Sequence, residues 1–428
     1  MVNTRELVLK ALYRMATEDA YSNQVLKEVL SHKDLDGKDK GFVTELLTGV
    51  VRNQLKLDYI IGKFSKIKLK KLSPWVHQIL RMGVYQLVCM DKVPESAACN
   101  ESVKLARRYA HGAAQGYVNG LLRSVAREKE TIEYPKEPIE RMSVLYSCPL
   151  WLTEKLTDQY GIETCEEILK ASHQKHPVTL RVNLLKTTPE ELQQELEQEG
   201  VVTQIDKESP RRLLVTGAID VAKSKAYRDG KYTVQNISSM TAVEVLSPKP
   251  GEAVLDLCAA PGGKTTFMAE MMENRGEILA LDIHPHKTEL IEKNAKRLGI
   301  TIIDTKARDA SLFMPEWEEK ADKVLVDAPC SGIGVIHKKP DIKWHREPED
   351  IAALCNIQES ILETAAKYLK AEGVLVYSTC TILEEENQKQ VAKFLEKHPE
   401  FSLEREEVLL THQTGGSGFY IAKCIRKR

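Results

Sequence analysis

No apolar run in this sequence approaches the ~20 residues that cross a bilayer, and its mean hydropathy is negative. Met1-Val2-Asn3-Thr4-Arg5-Glu6 does not open a signal-peptide core, so a cytoplasmic protein without membrane association is expected. No C-x-x-C pair occurs, which argues against a structural zinc site; no metal is expected. Aromatic residues make up only 6%, too few for a carbohydrate-type platform or a Tyr-rich binding face. Internal repeats and low-complexity tracts are missing as well. The 42% hydrophobic and 29% charged residues describe an ordinary globular chain rather than a disordered one. At roughly 150 residues per domain, 428 residues suggest two or three domains.

Cysteine is present nine times, an odd count that without a secretory signal implies free thiols in a reducing compartment. The net charge of −1 conceals an asymmetry. Residues 1–130 carry 22 Lys and Arg against 14 Asp and Glu, while the remainder carries 39 basic and 48 acidic residues. The first part is therefore suited to a polyanion.

Residues 1–133 read as all-helical: Val43, Leu46, Leu47 and Val50 follow the i, i+3, i+4, i+7 rule, as do Val76, Ile79, Leu80, Val84 and Leu87. Ser73-Pro74 has the form of an N-cap followed by Pro at the first helical position. The basic tract Lys63–Lys71 joins two helices, either as a solvated connector or as a phosphate-contacting strip. Tyr134-Pro135-Lys136-Glu137-Pro138 marks a boundary. Residues 139–230 mix extended runs at 179–185, 201–205 and 212–216 with a helix opened by the capping box Thr188-Pro189-Glu190-Glu191, a small α+β module. From 231 to 428, apolar runs at 253–258, 278–283, 323–327 and 373–377 alternate with helical patterns, which predicts a parallel sheet covered on both faces.

The first of these runs leads into Asp256-Leu257-Cys258-Ala259-Ala260-Pro261-Gly262-Gly263-Lys264-Thr265. Small residues and two glycines let a ligand approach the backbone, and the helix behind offers unpaired N–H groups. The P-loop pattern would need Gly where Cys258 stands, so a nucleotide hydrolase is disfavoured. Asp282 follows Gly262 by 20 residues, the position from which an acid reaches ribose hydroxyls in a nucleoside-binding α/β fold. Asp309 and Asp327 also follow strand-like runs. Asp often does no more than cap a helix after a strand, but three in register with this loop favour a nucleoside ligand such as S-adenosyl-L-methionine.

Cys330, in Asp327-Ala328-Pro329-Cys330-Ser331-Gly332-Ile333-Gly334, and Cys380, in Ser378-Thr379-Cys380, lie just beyond two strand ends. Buried structural thiols are common, but two at equivalent strand ends can meet in one crevice. The residues alone do not rank them. Of the weaker signals, Lys338-Lys339-Pro340-Asp341 could line an RNA entrance or form a solvated loop. His284 and His286 read as an exposed helix start, Met268, Met271 and Met272 as helix packing, and Glu384-Glu385-Glu386 as the start of an exposed helix.

The order DLCAAPGGKT, Asp282, Asp309, DAPCSGIG and STC resembles the RNA 5-methylcytosine methyltransferases of the Nol1/Nop2/Sun family, over residues ~231–428. Arg181-Val182-Asn183 and Gln235-Asn236-Ile237-Ser238-Ser239 look like motifs of the same family, and the helical first part resembles the antitermination factor NusB. The resemblance implies a multi-domain chain: an all-α NusB-like RNA-binding bundle, a small α+β module, and a doubly wound, Rossmann-like class I methyltransferase domain. It implies S-adenosyl-L-methionine held by Cys258, Ala259, Ala260, Pro261, Gly262, Gly263, Lys264, Asp282, Asp309 and Asp327. Cys380 would be the nucleophile, Cys330 would assist product release, and Asp327 would hydrogen-bond the base. The fusion of bundle and methyltransferase implies 16S ribosomal RNA as substrate, in an exposed loop of an unassembled or partly assembled small subunit, and a monomeric enzyme. Transfer RNA as substrate, or a non-catalytic assembly or antitermination factor, are the alternatives. Where the family often has Asp before Gly-Phe, this chain has Ser417, which leaves the role of the final hairpin open.

Overall fold

The amphipathic stripes become a helical layer around one apolar core. In a computed structural model that describes all residues but Met1, Val2, Asp19, Lys175 and Ala218, the helix Gly37–Arg52 buries Val43, Leu46, Leu47 and Val50. Pro74–Cys89 buries Val76, Ile79, Leu80, Val84 and Leu87. Ser73 caps the second of these as expected, its Oγ accepting from Val76 N. Met1-Val2, the start of the N-terminal segment, lies outside the described residues.

The chain divides into two units, Met1–His173 with Ile336–His345, and Gln174–Val335 with Arg346–Arg428. The helices Pro138–Leu145, Leu150–Tyr160 and Ile162–Ala171, which follow the stretch 134–138, lie in the first of these units. The segment 336–345 belongs to the first unit through specific bonds. Ser22 N donates to Asp341 Oδ2 at 2.8 Å, Trp344 Nε1 to Val51 O at 2.9 Å and Lys343 Nζ to Arg52 O at 3.0 Å. Lys338 and Lys339 are exposed as a solvated loop would be, whereas Pro340 and Asp341 are buried.

The second unit carries two sheets. The small one has order β2-β3-β1-β4, all antiparallel, from β1 (Val178–Val182), β2 (Thr203–Ile205), β3 (Arg212–Val215) and β4 (Tyr232–Val234). Because β4 pairs with β1, the small module extends past the expected end at 230. The capping box is present: Glu191 N donates to Thr188 Oγ1 at 3.2 Å and Thr188 N to Glu191 Oε2 at 3.1 Å.

The large sheet contains β5 (Ala253–Asp256), β6 (Glu277–Asp282), β7 (Ile303–Ala307), β8 (Ala321–Asp327), β9 (Leu369–Thr379), β10 (Phe401–Leu409) and β11 (Phe419–Arg426) in order β10-β11-β9-β8-β5-β6-β7. Strands β5 to β9 are mutually parallel, but β11 runs antiparallel to β9 and β10, so the sheet is mixed rather than wholly parallel. Val254, Leu255, Val324, Leu325, Val326, Leu375 and Val376 are buried, as expected of strands covered on both faces. Parallel order places the carboxyl ends of β5, β6, β8 and β9 on one edge, where ligands of open α/β sheets bind.

Candidate methyl-transfer site

The chain turns sharply after β5, and Gly262 makes the turn possible. Its φ of +96° lies in the left-handed region, and a Cβ there would stand 3.1 Å from Ile291 Cα. The helix Gly263–Met271 starts immediately afterwards. Asp256 ends β5, Asp282 ends β6, Asp327 ends β8, and Asp309 follows the end of β7 by two residues. All four carboxylates act on the Cys258 thiol. Burial first, and then Asp256, Asp327, Asp282 and Asp309, push it well above the ordinary thiol range.

A cleft of about 210 Å³ opens here, lined by Gln235, Asn236, Asp256, Cys258, Ala259, Ala260, Pro261, Gly263, Lys264 and Asp327 among others. Gly262, Asp282 and Asp309 do not line this cleft itself. Asp282 Oδ1 accepts from His284 N at 3.1 Å, and Asp309 Oδ1 from Ser311 N at 2.9 Å and Ser311 Oγ at 2.7 Å. Lys264 Nζ donates to Asp327 Oδ2 at 2.5 Å, and Ser378 Oγ donates to Asp327 Oδ1 at 3.0 Å. Asp256 is wholly buried; its Oδ2 accepts from Thr265 Oγ1 at 2.7 Å, and burial pushes its carboxyl up to about 7. Asp256 Oδ1 and Gln235 Nε2 are buried without a hydrogen-bond partner.

The two expected cysteines come together. Cys330 Sγ and Cys380 Sγ lie 3.2 Å apart, both half-buried. The Cys330 thiol is held well above its ordinary range, chiefly by its bond to Cys380 and then by burial, Glu386 and Asp327. Either thiol can donate to the other across this contact. The backbone is crowded here: a Cβ on Gly334 would lie 2.0 Å from Gly418 O and 2.8 Å from Cys380 O. Gly334 N donates to Cys380 O at 3.0 Å and Gly418 N to Gly334 O at 2.8 Å. Ser417, the departure from the family pattern, accepts from Asn236 Nδ2 on its Oγ at 3.0 Å and from Ser238 Oγ on its carbonyl at 2.7 Å. The segment before β11 thus fastens Gln235–Ser239 to the cysteine loop.

Several residues at this edge were not legible in the sequence. Glu386 is the clearest correction. Glu384–Glu386 is a 3-10 turn rather than the start of an exposed helix, and Glu386 is fully buried because its carboxylate receives Ser331. Arg181 reaches from β1 to the cofactor-type loop, donating to Gly263 O at 2.6 Å, Thr266 Oγ1 at 3.0 Å and Glu270 Oε1 at 2.8 Å, and also to Gln235 Oε1. The Arg-Val-Asn motif pointed to this place without revealing what it holds. His284 and His286 are exposed, and no cluster of metal-binding side chains occurs among the described residues. Met268 and Met272 are buried in the sheet core, with Met271 packed against it.

Comparison with known proteins meets this geometry at every part of the chain. Residues 243–424 match the family model described as 16S rRNA methyltransferase RsmB/F, 2–127 the NusB family, and 148–222 the ferredoxin-like domain of RsmF/B-like methyltransferases. The probable ribosomal RNA small subunit methyltransferase B of Bacillus subtilis is 38% identical, with 99% of each chain covered. The chain belongs to the ribosomal RNA small subunit methyltransferase B family. The family's protein from Proteus mirabilis is 34% identical, again over 99% of each chain. The crystal structure of PH0851 covers 100% of this chain and 99% of its own with a TM-score of 0.84 and 30% identity. NSun6 from Pyrococcus horikoshii with SFG covers 69% of this chain and 99% of its own, with a TM-score of 0.60 and 25% identity. As a member of the small subunit methyltransferase B family, the chain is a methyltransferase with a NusB-like bundle, a ferredoxin-like module and a Rossmann-like domain. No helix among the described residues is long and apolar enough to cross a membrane.

Proposed function

We propose that this methyltransferase methylates carbon 5 of a cytidine in 16S ribosomal RNA through a covalent bond between Cys380 and the base. The observation that carries this reading is the sulfur pair, 3.2 Å apart beside Asp327, at the sheet edge that also bears the loop 256–264. Carbon 5 of cytosine is too weak a nucleophile to take a methyl group unaided. A thiolate adding to carbon 6 makes carbon 5 enamine-like, which is covalent catalysis of the kind cysteine performs well.

S-adenosyl-L-methionine, when bound, supplies an electrophilic methyl on a sulfonium centre. The residues present suit it: small residues line the cleft together with the carboxylates of Asp256 and Asp327, and Gln235 Nε2 and Asp256 Oδ1 are still without partners. Cys258, Ala259, Ala260, Pro261, Gly262, Gly263 and Lys264 would hold it together with Asp282, Asp309 and Asp327. The acids favour a cationic, hydroxyl-bearing ligand.

Each residue then has a task. Cys380, which the family resemblance names as the nucleophile, adds to carbon 6, and as a thiolate it would accept a hydrogen bond from the adjacent Cys330 thiol. Asp327, oriented by Lys264 and Ser378, accepts a hydrogen bond from the base. Once carbon 5 is methylated, solvent water takes its proton, the electron pair re-forms the carbon 5–carbon 6 double bond and the Cys380 sulfur leaves as a thiolate. Cys330 is next to that sulfur and assists its departure. The base must leave its stack to reach both thiols, so a loop of an unassembled or partly assembled small subunit is the suitable target.

In the first unit, Lys63, Lys66, Lys68, Lys70 and Lys71 are exposed, and none forms an ion pair among the described residues, which suits phosphate binding. The enzyme works as a monomer in the cytoplasm. Bisulfite mapping of 16S ribosomal RNA from cells with and without the gene tests the assignment. One protected cytidine should become convertible when the gene is lost; an unchanged map contradicts it.

A further inference from the structure

Glu386 and Asn387 are adjacent, fully buried residues that each bracket one of the two cysteines. Glu386 Oε1 accepts from Ser331 N at 2.8 Å and from Gln358 Nε2 at 3.0 Å, and Oε2 accepts from Ser331 Oγ at 2.5 Å. Gln358 Nε2 also donates to Pro329 O at 3.0 Å, so the residues on either side of Cys330 are both held. Asn387 does the same for Cys380: its Oδ1 accepts from Thr379 Oγ1 at 2.6 Å, and its Nδ2 donates to Thr381 O at 3.1 Å. The two halves meet where Ser331 Oγ and Thr381 Oγ1 lie 2.9 Å apart. Tyr377 OH donates to Glu386 O at 2.6 Å and fixes the dipeptide to β9. No Lys or Arg pairs with Glu386 among the described residues. A buried carboxylate without a counter-charge costs stability, so folding alone gives little reason for one here.

We propose that Glu386 and Asn387 form a positioning clamp, which ties the Cys330 loop to the Cys380 loop and keeps the two sulfurs at their working separation. The clamp rests on the reading of Cys380 as the nucleophile, but it makes a claim about geometry that can be measured without methyl transfer. Nucleophile and helper lie on separate loops after different strands. Small errors of position at a reacting centre are expensive in rate, and a rigid cross-link between the loops removes them.

The test uses the full chain with Glu386→Ala, Glu386→Gln, Asn387→Ala and Ser331→Ala. Turnover is measured along with KM for RNA and affinity for S-adenosyl-L-methionine. Bridging of Cys330 to Cys380 by phenylarsine oxide is mapped by peptide mass spectrometry; the arsenical joins two neighbouring thiols and releases water. Glu386→Ala and Asn387→Ala should each lower kcat by about 100-fold with KM and cofactor affinity within about twofold. The rate of arsenical bridging should fall about tenfold in both variants. Glu386→Gln, which still accepts from Ser331 N, should recover about tenfold of the lost turnover. If Glu386→Ala does not fold, Ser331→Ala carries the test, with a loss of about tenfold in both kcat and bridging. Bridging at the parent rate in the folded variants, or kcat within about threefold of the parent, overturns the clamp. Should Cys380→Ala stay active while bridging still depends on Glu386, it is the nucleophile assignment that fails and the geometric claim that survives.

Discussion

In the helical unit, Lys63, Lys66, Lys68, Lys70 and Lys71 stand in solvent, and on the connector they can meet an anion without moving. In the unit that carries the large sheet, Asp256, Glu270, Asp327 and Glu386 are each fixed by a hydrogen bond or ion pair, Asp256 by nearby Thr265 and the other three by Arg181, Lys264 and Ser331 from distant parts of the chain. Charge serves different ends in the two regions. Exposed charge sets long-range, salt-sensitive attraction. Buried charge sets geometry and protonation, and is little affected by salt. Affinity for RNA and chemistry on the base should therefore separate when the two regions are altered one at a time.

The largest separation is expected from Cys380→Ala, which should reduce turnover by at least about 10⁴-fold, as loss of a covalent nucleophile does. Filter binding should find RNA affinity nearly unchanged, and a fall in affinity comparable with the fall in turnover would erase the contrast. Next comes Arg181→Leu, which strands Glu270 in a site where both side chains are fully buried. Removing one partner of such a pair should cost on the order of 3–5 kcal/mol, read as a lowered midpoint in urea. A change within about 0.5 kcal/mol, typical of a surface site, would mean that this ion pair does not hold the loop.

Changing the five lysines of the connector to Gln is the converse experiment. RNA affinity at low salt should fall about tenfold or more, and the slope of log K against log salt should flatten by about 0.7 for each phosphate of a single strand that is no longer neutralised. kcat at saturating RNA should stay within about twofold of the parent. An unchanged slope would remove the tract from the RNA interface.

The smallest effect concerns His173, held down to about 4 chiefly by burial while its Nε2 meets Tyr146 O at 2.8 Å. A histidine that is harder to protonate in the fold than in the unfolded chain contributes stability that is complete above about 6.5 and is lost as pH falls toward 4. Between pH 7 and 5 the parent should lose on the order of 1–2 kcal/mol more than His173→Gln, measured by thermal unfolding at each pH. Equal losses would show that burial of this ring does not govern its titration.

Much of the contrast is legible in the amino-acid order alone. The excess of Lys and Arg in residues 1–130 is a sum, and sums survive without a fold. The strand runs that end in Asp256, Asp282 and Asp327 follow from apolar runs in a parallel sheet, and with them came the crevice. Cys330 and Cys380, 50 residues apart, converge because β8 and β9 are parallel neighbours. What sequence could not give was partnership. Glu386 has the composition of an exposed helix start, and only its bond with Ser331 makes it interior. Arg181 lies in a recognisable motif, but its targets Gly263, Thr266 and Glu270 belong to the helix Gly263–Met271, which follows β5 of the other sheet. That the final hairpin joins β9 in antiparallel fashion and makes the sheet mixed was also hidden, since an apolar run does not state its direction.

The most direct measurement is to incubate Cys330→Ala with target RNA and S-adenosyl-L-methionine, digest with nuclease and protease, and locate the nucleotide by mass spectrometry. A methylated cytidine attached to the peptide bearing Cys380 is the expected result. A nucleotide attached to any other cysteine, or full methylation with no adduct at any time, would contradict covalent catalysis by Cys380.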